Sequence, residues 1–378
     1  MSDALFNEPE EFEQTETADP AVSDGGLTEP ELTNAQSMGP RQRLVRLGQE
    51  LLSDGLVVRT WGNFSLRSDD DHFLVTPSGR RYETMQDADL ADVDAAGEWT
   101  GPLKPSGETP MHGLIYREFP QAGCVIHTHQ PYASALTFEA SPIELNPDEA
   151  EALGQPVIPV APYALPTTGW LHKNVEKTYA KYPLQVLLLK AHGALIWAAD
   201  ADEARRLANV LEEIAQRRYW HTLSHNEPAS RQLVHSERVG QGVRYFGADG
   251  EDITPDAEIR DVHEQIYARQ PEMRVIINSR DCEVATFYNT SLVPYLDDFA
   301  QLVGTSADAS GAKAATLTHN NAFCAGRDHD DAHAVRLVLE KNARAARYAR
   351  LRKGQPINGF EVILMRQLYV RKYAKQAD

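Results

Sequence analysis

Two histidines one residue apart, at the end of an apolar run, open the chemistry of this chain: Val125-Ile126-His127-Thr128-His129. An apolar lead-in of this kind predicts a strand, and on a strand residues i and i+2 face the same way. His127 and His129 can therefore offer two imidazoles to one cation. His192 closes a second apolar run, Val186-Leu187-Leu188-Leu189-Lys190-Ala191, and Glu108 precedes the first by a short helix. Three histidines delivered by two neighbouring strands, with a carboxylate near them, are the makings of a divalent-metal site with an open position. The plainer reading of one His-x-His is a pair of ordinary structural or surface histidines.

Elements must bring these groups together. Leu44, Leu47, Leu51 and Leu52 recur at helical spacing and predict an amphipathic helix. Loop and strand segments follow at Thr60-Trp61-Gly62-Asn63-Phe64-Ser65 and Phe73-Leu74-Val75-Thr76-Pro77-Ser78-Gly79. Residues 110–119 read as a helix with Pro110 in its first turn. Residues 157–162 read as a short strand. Asp200-Ala201-Asp202-Glu203 resembles a capping box opening a long helix to about Tyr219.

The chain also repeats itself. His112-Gly-Leu-Ile-Tyr-Arg-Glu-Phe-Pro120 resembles His263-Glu-Gln-Ile-Tyr-Ala-Arg-Gln-Pro271, and the strands after them fall in register without a gap. Gly193-Ala-Leu-Ile-Trp-Ala-Ala-Asp200 matches Asn321-Ala-Phe-Cys-Ala-Gly-Arg-Asp328, each followed by a capped helix. In this register Glu108 meets Ile259, His127 meets Asn278, His129 meets Arg280 and His192 meets Asn320. A shift of one residue would set His319 opposite His192. Core and capping positions persist while all four site positions change, as expected if the four act as one unit. The organisation expected is an acidic tail at 1–38, a catalytic domain at 39–228, and a degenerate copy without the metal site at 229–378.

Composition sets outer limits. The 378 residues are 42% hydrophobic and 24% charged, enough for two domains with real cores. A net charge of −18 argues against general nucleic-acid affinity, which needs a basic footprint. No stretch has the apolar length of a membrane span, and the N-terminus lacks a basic, then apolar, leader. Cys124, Cys282 and Cys324 form no paired spacing, which fits a reducing cytoplasm better than a disulfide framework. Residues 1–38 hold ten acidic and no Lys or Arg residues and read as a disordered tail; Thr28 could start a short helix there.

Taken in order, Gly62-Asn63-Phe64-Ser65, Thr76-Pro77-Ser78-Gly79, Pro105-Ser106-Gly107-Glu108-Thr109-Pro110-Met111-His112, His127-Thr128-His129, Val160-Ala161-Pro162-Tyr163 and His192-Gly193 resemble the class II aldolase/adducin family. The likeness is strong over about 40–222 and weak over 230–350. It implies an α/β fold, with α/β/α layers about a central, mainly antiparallel sheet. It implies a divalent metal on His127, His129 and His192, zinc first, with manganese or cobalt as alternatives. It places Glu108 as the catalytic acidic residue, and Thr60, Asn63, Ser78, Gly79 and Ser106 where relatives cradle a substrate phosphate. Backbone N–H groups at glycines and short hydroxyl or amide side chains suit that task. Arg80, Arg81, Lys104 and Lys190 could offset the acidic background nearby.

The activity implied is carbon–carbon cleavage of a sugar phosphate or related hydroxy-carbonyl compound through a metal-stabilised enediolate, with Glu108 as acid and base. Epimerisation, dehydration and decarboxylation share that intermediate and stand as alternatives, as does a hydroxy-acid substrate. A non-catalytic interaction module of the adducin kind is a further alternative, which intact Glu108, His127, His129 and His192 oppose. An unrelated zinc hydrolase would carry a His-Glu-x-x-His helix, which is absent. Two departures stand out. Gly107 follows Ser106 where many members have a second hydroxyl. Aldolases also place a proton-donating tyrosine between 138 and 158, where this chain has Asp148, Glu149 and Glu151. Family sites lie between subunits of a fourfold ring, so a homo-oligomer is expected: a dimer whose four lobes mimic the ring, or a tetramer. Asp328-His329-Asp330-Asp331-Ala332-His333 reads as a solvated helix N-terminus rather than a second metal cluster. Tyr369 and Tyr373 share a face of a docking helix.

Overall fold

Leu44, Val45, Leu47 and Leu51 are all buried on one face of the first helix, α1 (Pro40–Ser53), as their spacing predicts. Pro40 starts it, where a missing N–H costs nothing. The computed structural model describes residues 38–223, 234–240, 242–247, 249–279 and 281–372. The acidic tail, the helix start at Thr28, Arg280 and Tyr373 lie outside them.

After α1 come β1 (Asn63–Arg67), β2 (His72–Val75), β3 (Ala91–Asp94), β4 (Trp99–Thr100), α2 (Thr109–Glu118) and β5 (Cys124–Thr128). Then follow α3 (Ala133–Leu136), β6 (Ile143–Glu144), α4 (Pro147–Leu153), β7 (Val157–Ile158), β8 (Val160–Ala161), α5 (Gly169–Lys181), β9 (Val186–Leu189), β10 (Gly193–Ala198) and α6 (Ala201–Leu223). One eight-stranded sheet runs β4-β3-β2-β1-β5-β10-β9-β8. Every pairing in it is antiparallel except β8 with β9. The single strand expected at 157–162 is two: β7 pairs with β6 outside the main sheet, and β8 forms its edge. β5, β9 and β10 are buried on both faces, so they read as continuous apolar runs. One core lies under α1 and α6; a second, with Met111, Ile115 and Val175, lies under α2 and α5.

The second lobe contains β11 (His235–Val239), β12 (Gly242–Phe246), α7 (Ala257–Arg269), β13 (Val275–Ser279), α8 (Cys282–Ala285), α9 (Asp297–Leu302), β14 (Ala315–Leu317), β15 (Ala322–Gly326), α10 (His329–Leu351) and α11 (Gly359–Lys372). Its sheet runs β12-β11-β13-β15-β14, the same sequence of neighbours as β2-β1-β5-β10-β9. A buried group recurs as well. The Ser65 hydroxyl meets His112 Nδ1 at 2.6 Å and the Tyr116 hydroxyl at 2.8 Å, under the Arg67 guanidinium 4.7 Å from the ring. Ser236, His263, Tyr267 and Arg238 repeat these contacts at 2.6, 3.1 and 4.7 Å.

The large core continues across both lobes. Tyr219 on α6 stacks on Tyr348 on α10, 5.6 Å between ring centres. Charge also joins them: Arg59 reaches Asp330 at 3.2 Å and Asp331 at 2.7 Å, and Arg81 reaches Asp330 at 3.0 Å. Asp328 does cap α10, accepting from the Asp331 N–H. The expected solvated terminus is corrected, because arginines from the first lobe draw Asp330 and Asp331 into an inter-lobe ion cluster.

Candidate metal centre

β5 and β10 are neighbours, with His127 opposite Leu195 and Thr128 opposite Ala194. Gly193 permits this approach: a Cβ there would stand 2.1 Å from the Thr128 carbonyl oxygen. His192, just before β10, is thereby carried to the end of β5. The Nε2 atom of His127 lies 3.0 Å from that of His129 and 2.9 Å from that of His192. All three rings are buried. The same pairing places Phe323 opposite Asn278 on β13 and β15, so His192 corresponds to Asn320, not His319.

Protonation can be traced. His127 Nδ1 donates to the Ala194 carbonyl at 2.8 Å, which assigns the ring's Nδ1 as the proton-bearing nitrogen and leaves Nε2 as the one facing the other two rings. His129 Nδ1 faces Asp298 Oδ2 at 3.7 Å, and His192 Nδ1 faces Asp297 Oδ2 at 3.4 Å. These acidic groups favour the same tautomer, leaving three Nε2 lone pairs aimed at one point. Burial pushes the His129 imidazole down to about 4 and holds His192 well below its ordinary range. Neutral imidazoles whose lone pairs converge repel one another unless a cation lies among them, so the donor set fits a divalent metal.

Glu108 stands at the N-cap of α2, yet its side chain does not cap the helix. It turns inward, with Oε2 at 3.4 Å from His127 Nε2 and Oε1 at 3.6 Å from His192 Nε2. Burial opposes its charge, but His127, His192 and the Asn63 amide outweigh burial and hold the carboxyl at about 2. A polar chain sets its position. Asn63 Nδ2 donates to Glu108 at 2.9 Å, His112 Nε2 donates to Asn63 Oδ1 at 2.6 Å, and Ser65 then donates to His112 Nδ1 at 2.6 Å. Burial keeps His112 neutral, near 3.

The five residues expected around a phosphate, Thr60, Asn63, Ser78, Gly79 and Ser106, line one pocket with Glu108, His129 and His192. Two backbone bonds zip their loops together: Ser78 N–H to the Lys104 carbonyl at 2.9 Å, and Ser106 N–H to the Thr76 carbonyl at 3.2 Å. Gly62 supports the third loop. Its φ of +100° is open to glycine, and a Cβ there would meet the His127 carbonyl oxygen at 2.7 Å. The expected basic residues do not line this pocket. Arg80 pairs with Asp89 at 2.9 Å, Arg81 with Asp330, and Lys190 lies over the Phe138 ring. Glu149 closes the capping box of α4 and pairs with Arg218; neither it, Asp148 nor Glu151 lines the pocket.

Second-lobe residues complete the pocket, and sequence reasoning missed most of them. Asp297 and Gln301 on α9, with Leu364, Met365, Leu368 and Tyr369 on α11, form part of its wall. Tyr369 lies parallel to Trp61, 6.2 Å between ring centres. Lys341 on α10 forms a buried ion pair with Asp298 and donates to the His129 carbonyl at 3.2 Å. Burial and the neighbouring Asp298 push the Asp297 carboxyl well up; Asp298 resists burial through Lys341 and His129 and stays near 2.

A sheet of this order carrying three converging histidines and a buried glutamate defines a metal-dependent enzyme class. The chain belongs to the class II aldolase and adducin family: the model for the class II aldolase and adducin N-terminal domain matches residues 42–219. That family is divalent-metal dependent, and His127, His129 and His192 form the matching cluster. A 5-methylthioribulose-1-phosphate/5-deoxyribulose-1-phosphate aldolase from Rhodospirillum rubrum is 31% identical over 217 residues, spanning 57% of this chain and 96% of that one. A methylthioribulose-1-phosphate dehydratase from Stenotrophomonas maltophilia is 34% identical over 182 residues, 45% of this chain and 85% of that one. A 3-oxo-tetronate 4-phosphate decarboxylase from Pectobacterium atrosepticum is 30% identical over 195 residues, 50% and 87% of the two chains. No helix among the described residues is long and apolar enough to cross a membrane.

Proposed function

We propose that this chain is a divalent-metal-dependent lyase acting on a ketose 1-phosphate, with loss of water favoured over the carbon–carbon cleavage expected first. The observation that carries the reading is one pocket in which His129 and His192 of a three-histidine cluster, a buried glutamate and an arc of short hydrogen-bond donors meet. Similarity to dehydratases and a decarboxylase supports the alternatives to aldol cleavage. His127, His129 and His192 would hold the ion, which we take to be zinc. Bound there, it supplies Lewis-acid stabilisation of the negative charge that develops on substrate oxygens.

The remaining steps belong to the chain's own residues. Thr60, Asn63, Ser78, Gly79 and Ser106 receive the phosphate and fix the sugar's direction in the pocket. Leu165, Leu364, Met365 and Leu368 give the pocket an apolar share, suited to a substrate with a deoxygenated or thioether end. Glu108 takes the proton from the carbon beside the carbonyl and passes it to the neighbouring hydroxyl as that group departs. The C–H and C–O bonds break, a C=C bond forms, one water leaves, and the enol relaxes to a diketone phosphate. One carboxylate serves both transfers, and the Asn63–His112–Ser65 chain keeps it aimed. Aldol cleavage is the second reading, favoured by the Rhodospirillum rubrum relative and by Tyr369, a hydroxyl-bearing side chain in the pocket wall.

The test is zinc-loaded protein incubated with 5-deoxyribulose 1-phosphate and followed by NMR. A diketone phosphate supports dehydration; dihydroxyacetone phosphate with an aldehyde supports cleavage; neither product from the wild type refutes the lyase reading. We also propose that 229–378 is a second copy of the 39–228 domain that has lost its chemistry, supported by the shared strand order and the repeated Ser-His-Tyr-Arg group. The corresponding assembly is a dimer whose four lobes stand in for a ring of four. Two metals per two chains, with that mass in solution, fits it; four metals does not.

A further inference from the structure

The family model ends at residue 219, and Asp297, Asp298 and Lys341 all lie beyond it. We propose that the second lobe builds the outer shell of the metal centre. Asp297 and Asp298 are positioning residues that orient His192 and His129 through their Nδ1 atoms, and Lys341 holds Asp298 in place. This rests on the reading that the three histidines hold a divalent ion.

An imidazole that ligates through Nε2 keeps its proton on Nδ1, and a buried N–H needs an acceptor. His127 finds one inside its own sheet, the Ala194 carbonyl at 2.8 Å. The Nδ1 atoms of His129 and His192 make no hydrogen bond, and neither do Asp297 Oδ2 and Asp298 Oδ1. The carboxylates facing the two rings, at 3.7 and 3.4 Å, both come from the second lobe. A shift of a few tenths of an ångström would close either pair into a hydrogen bond, and a bound ion supplies the pull.

Charge points the same way. Asp297 and Asp298 are 0% and 1% exposed, beside buried Glu108. Lys341 is the ammonium that pairs within this buried acidic group, on Asp298, and it ties that group to the second lobe's α10. The second lobe also grips the backbone at both histidines. The Asp297 N–H donates to the Ala191 carbonyl at 3.2 Å, and Lys341 donates to the His129 carbonyl at 3.2 Å. Ala191 has φ of +58°, an uncommon conformation for a residue with a Cβ. The second lobe thus steadies the turn that presents His192.

The experiment uses full-length protein stripped of metal and titrated with zinc against a chromophoric chelator, with cobalt as a spectroscopic probe. Asp297→Asn and Asp298→Asn should each weaken zinc binding by roughly 10- to 100-fold and shift the visible cobalt bands. The melting temperature of the metal-free Asp297→Asn protein should stay near that of the wild type. Asp298→Asn strips a buried Lys341 of its carboxylate, so if that variant misfolds Asp297→Asn decides alone. A folded Asp297→Asn protein with zinc affinity within twofold of wild type and an unchanged cobalt spectrum overturns the proposal and leaves the lyase reading standing. A wild type that binds no divalent metal overturns both. Binding is read without substrate, so failure to turn over a ketose phosphate bears only on the lyase reading.

Discussion

Two histidines in equivalent buried places make the stability of this protein sensitive to acid. His112 and His263 each sit under a serine hydroxyl, and burial pushes both imidazoles down to about 3. In the unfolded chain each titrates near its ordinary 6.5. Their neutral form is native, so the associated stability is complete above pH 6.5. Below it, the unfolded chain gains protons that the folded one refuses. Each unit of pH then removes about 1.4 kcal/mol per histidine, so pH 5 costs each about 2 kcal/mol. The loss continues until the folded histidine itself titrates, near 3. His263→Phe isolates one share. The ring keeps its edge contact with Phe323, 5.0 Å between centres, and the variant lacks the titration. Removing the bond to Ser236 lowers stability at every pH, so the slope is the quantity to read. Urea unfolding followed by circular dichroism at pH 7 and pH 5 should show the variant losing about 2 kcal/mol less than wild type. Equal losses in both proteins would refute the reasoning, because they would mean His263 is protonated in the folded state or screened in the unfolded one.

Glu108→Gln should retain bound metal yet lower turnover by about 10²- to 10⁴-fold, the usual share of a positioned acid/base; turnover within tenfold of wild type would remove Glu108 from the chemistry. Gly62→Ala forces a Cβ into the left-handed region and against the His127 carbonyl, and should cost about 1–3 kcal/mol with reduced metal content, read by thermal unfolding and elemental analysis. Ser78→Asp sets a carboxylate in the donor arc and should raise KM for a ketose phosphate at least about tenfold, or 1.4 kcal/mol, with kcat changed less; an unchanged KM would place the phosphate elsewhere.

The histidine cluster was legible because strand alternation is local: His127 and His129 need only each other and a strand, and His192 needs only the neighbouring one. Glu108 and the donor loops were legible through ordered motifs. Asp297, Asp298 and Lys341 were not, since nothing in a run of Leu-Asp-Asp-Phe distinguishes a pair of carboxyl groups that face two buried histidines from the acidic first turn of a helix. Their meaning depends on how two lobes pack, which no short period encodes. Leu364, Met365, Leu368 and Tyr369 hide for a related reason. α11 buries Val362 and Met365, while Phe360, Ile363 and Val370 on the same helix are exposed, so its apolar pattern does not reveal which residues reach the pocket. Arg80, Arg81 and Lys190 show the converse error: charge near a motif in sequence found partners elsewhere in space.

The pocket wall and the histidines it faces lie on one polypeptide, joined by a shared core. Closing the pocket with α9 and α11 is therefore a unimolecular event. No second-order encounter is needed to bring Gln301 and Tyr369 to the histidines, and dilution cannot part them. The local concentration of wall around each site is a fixed property of the chain, the same in a crowded cell and in a nanomolar assay.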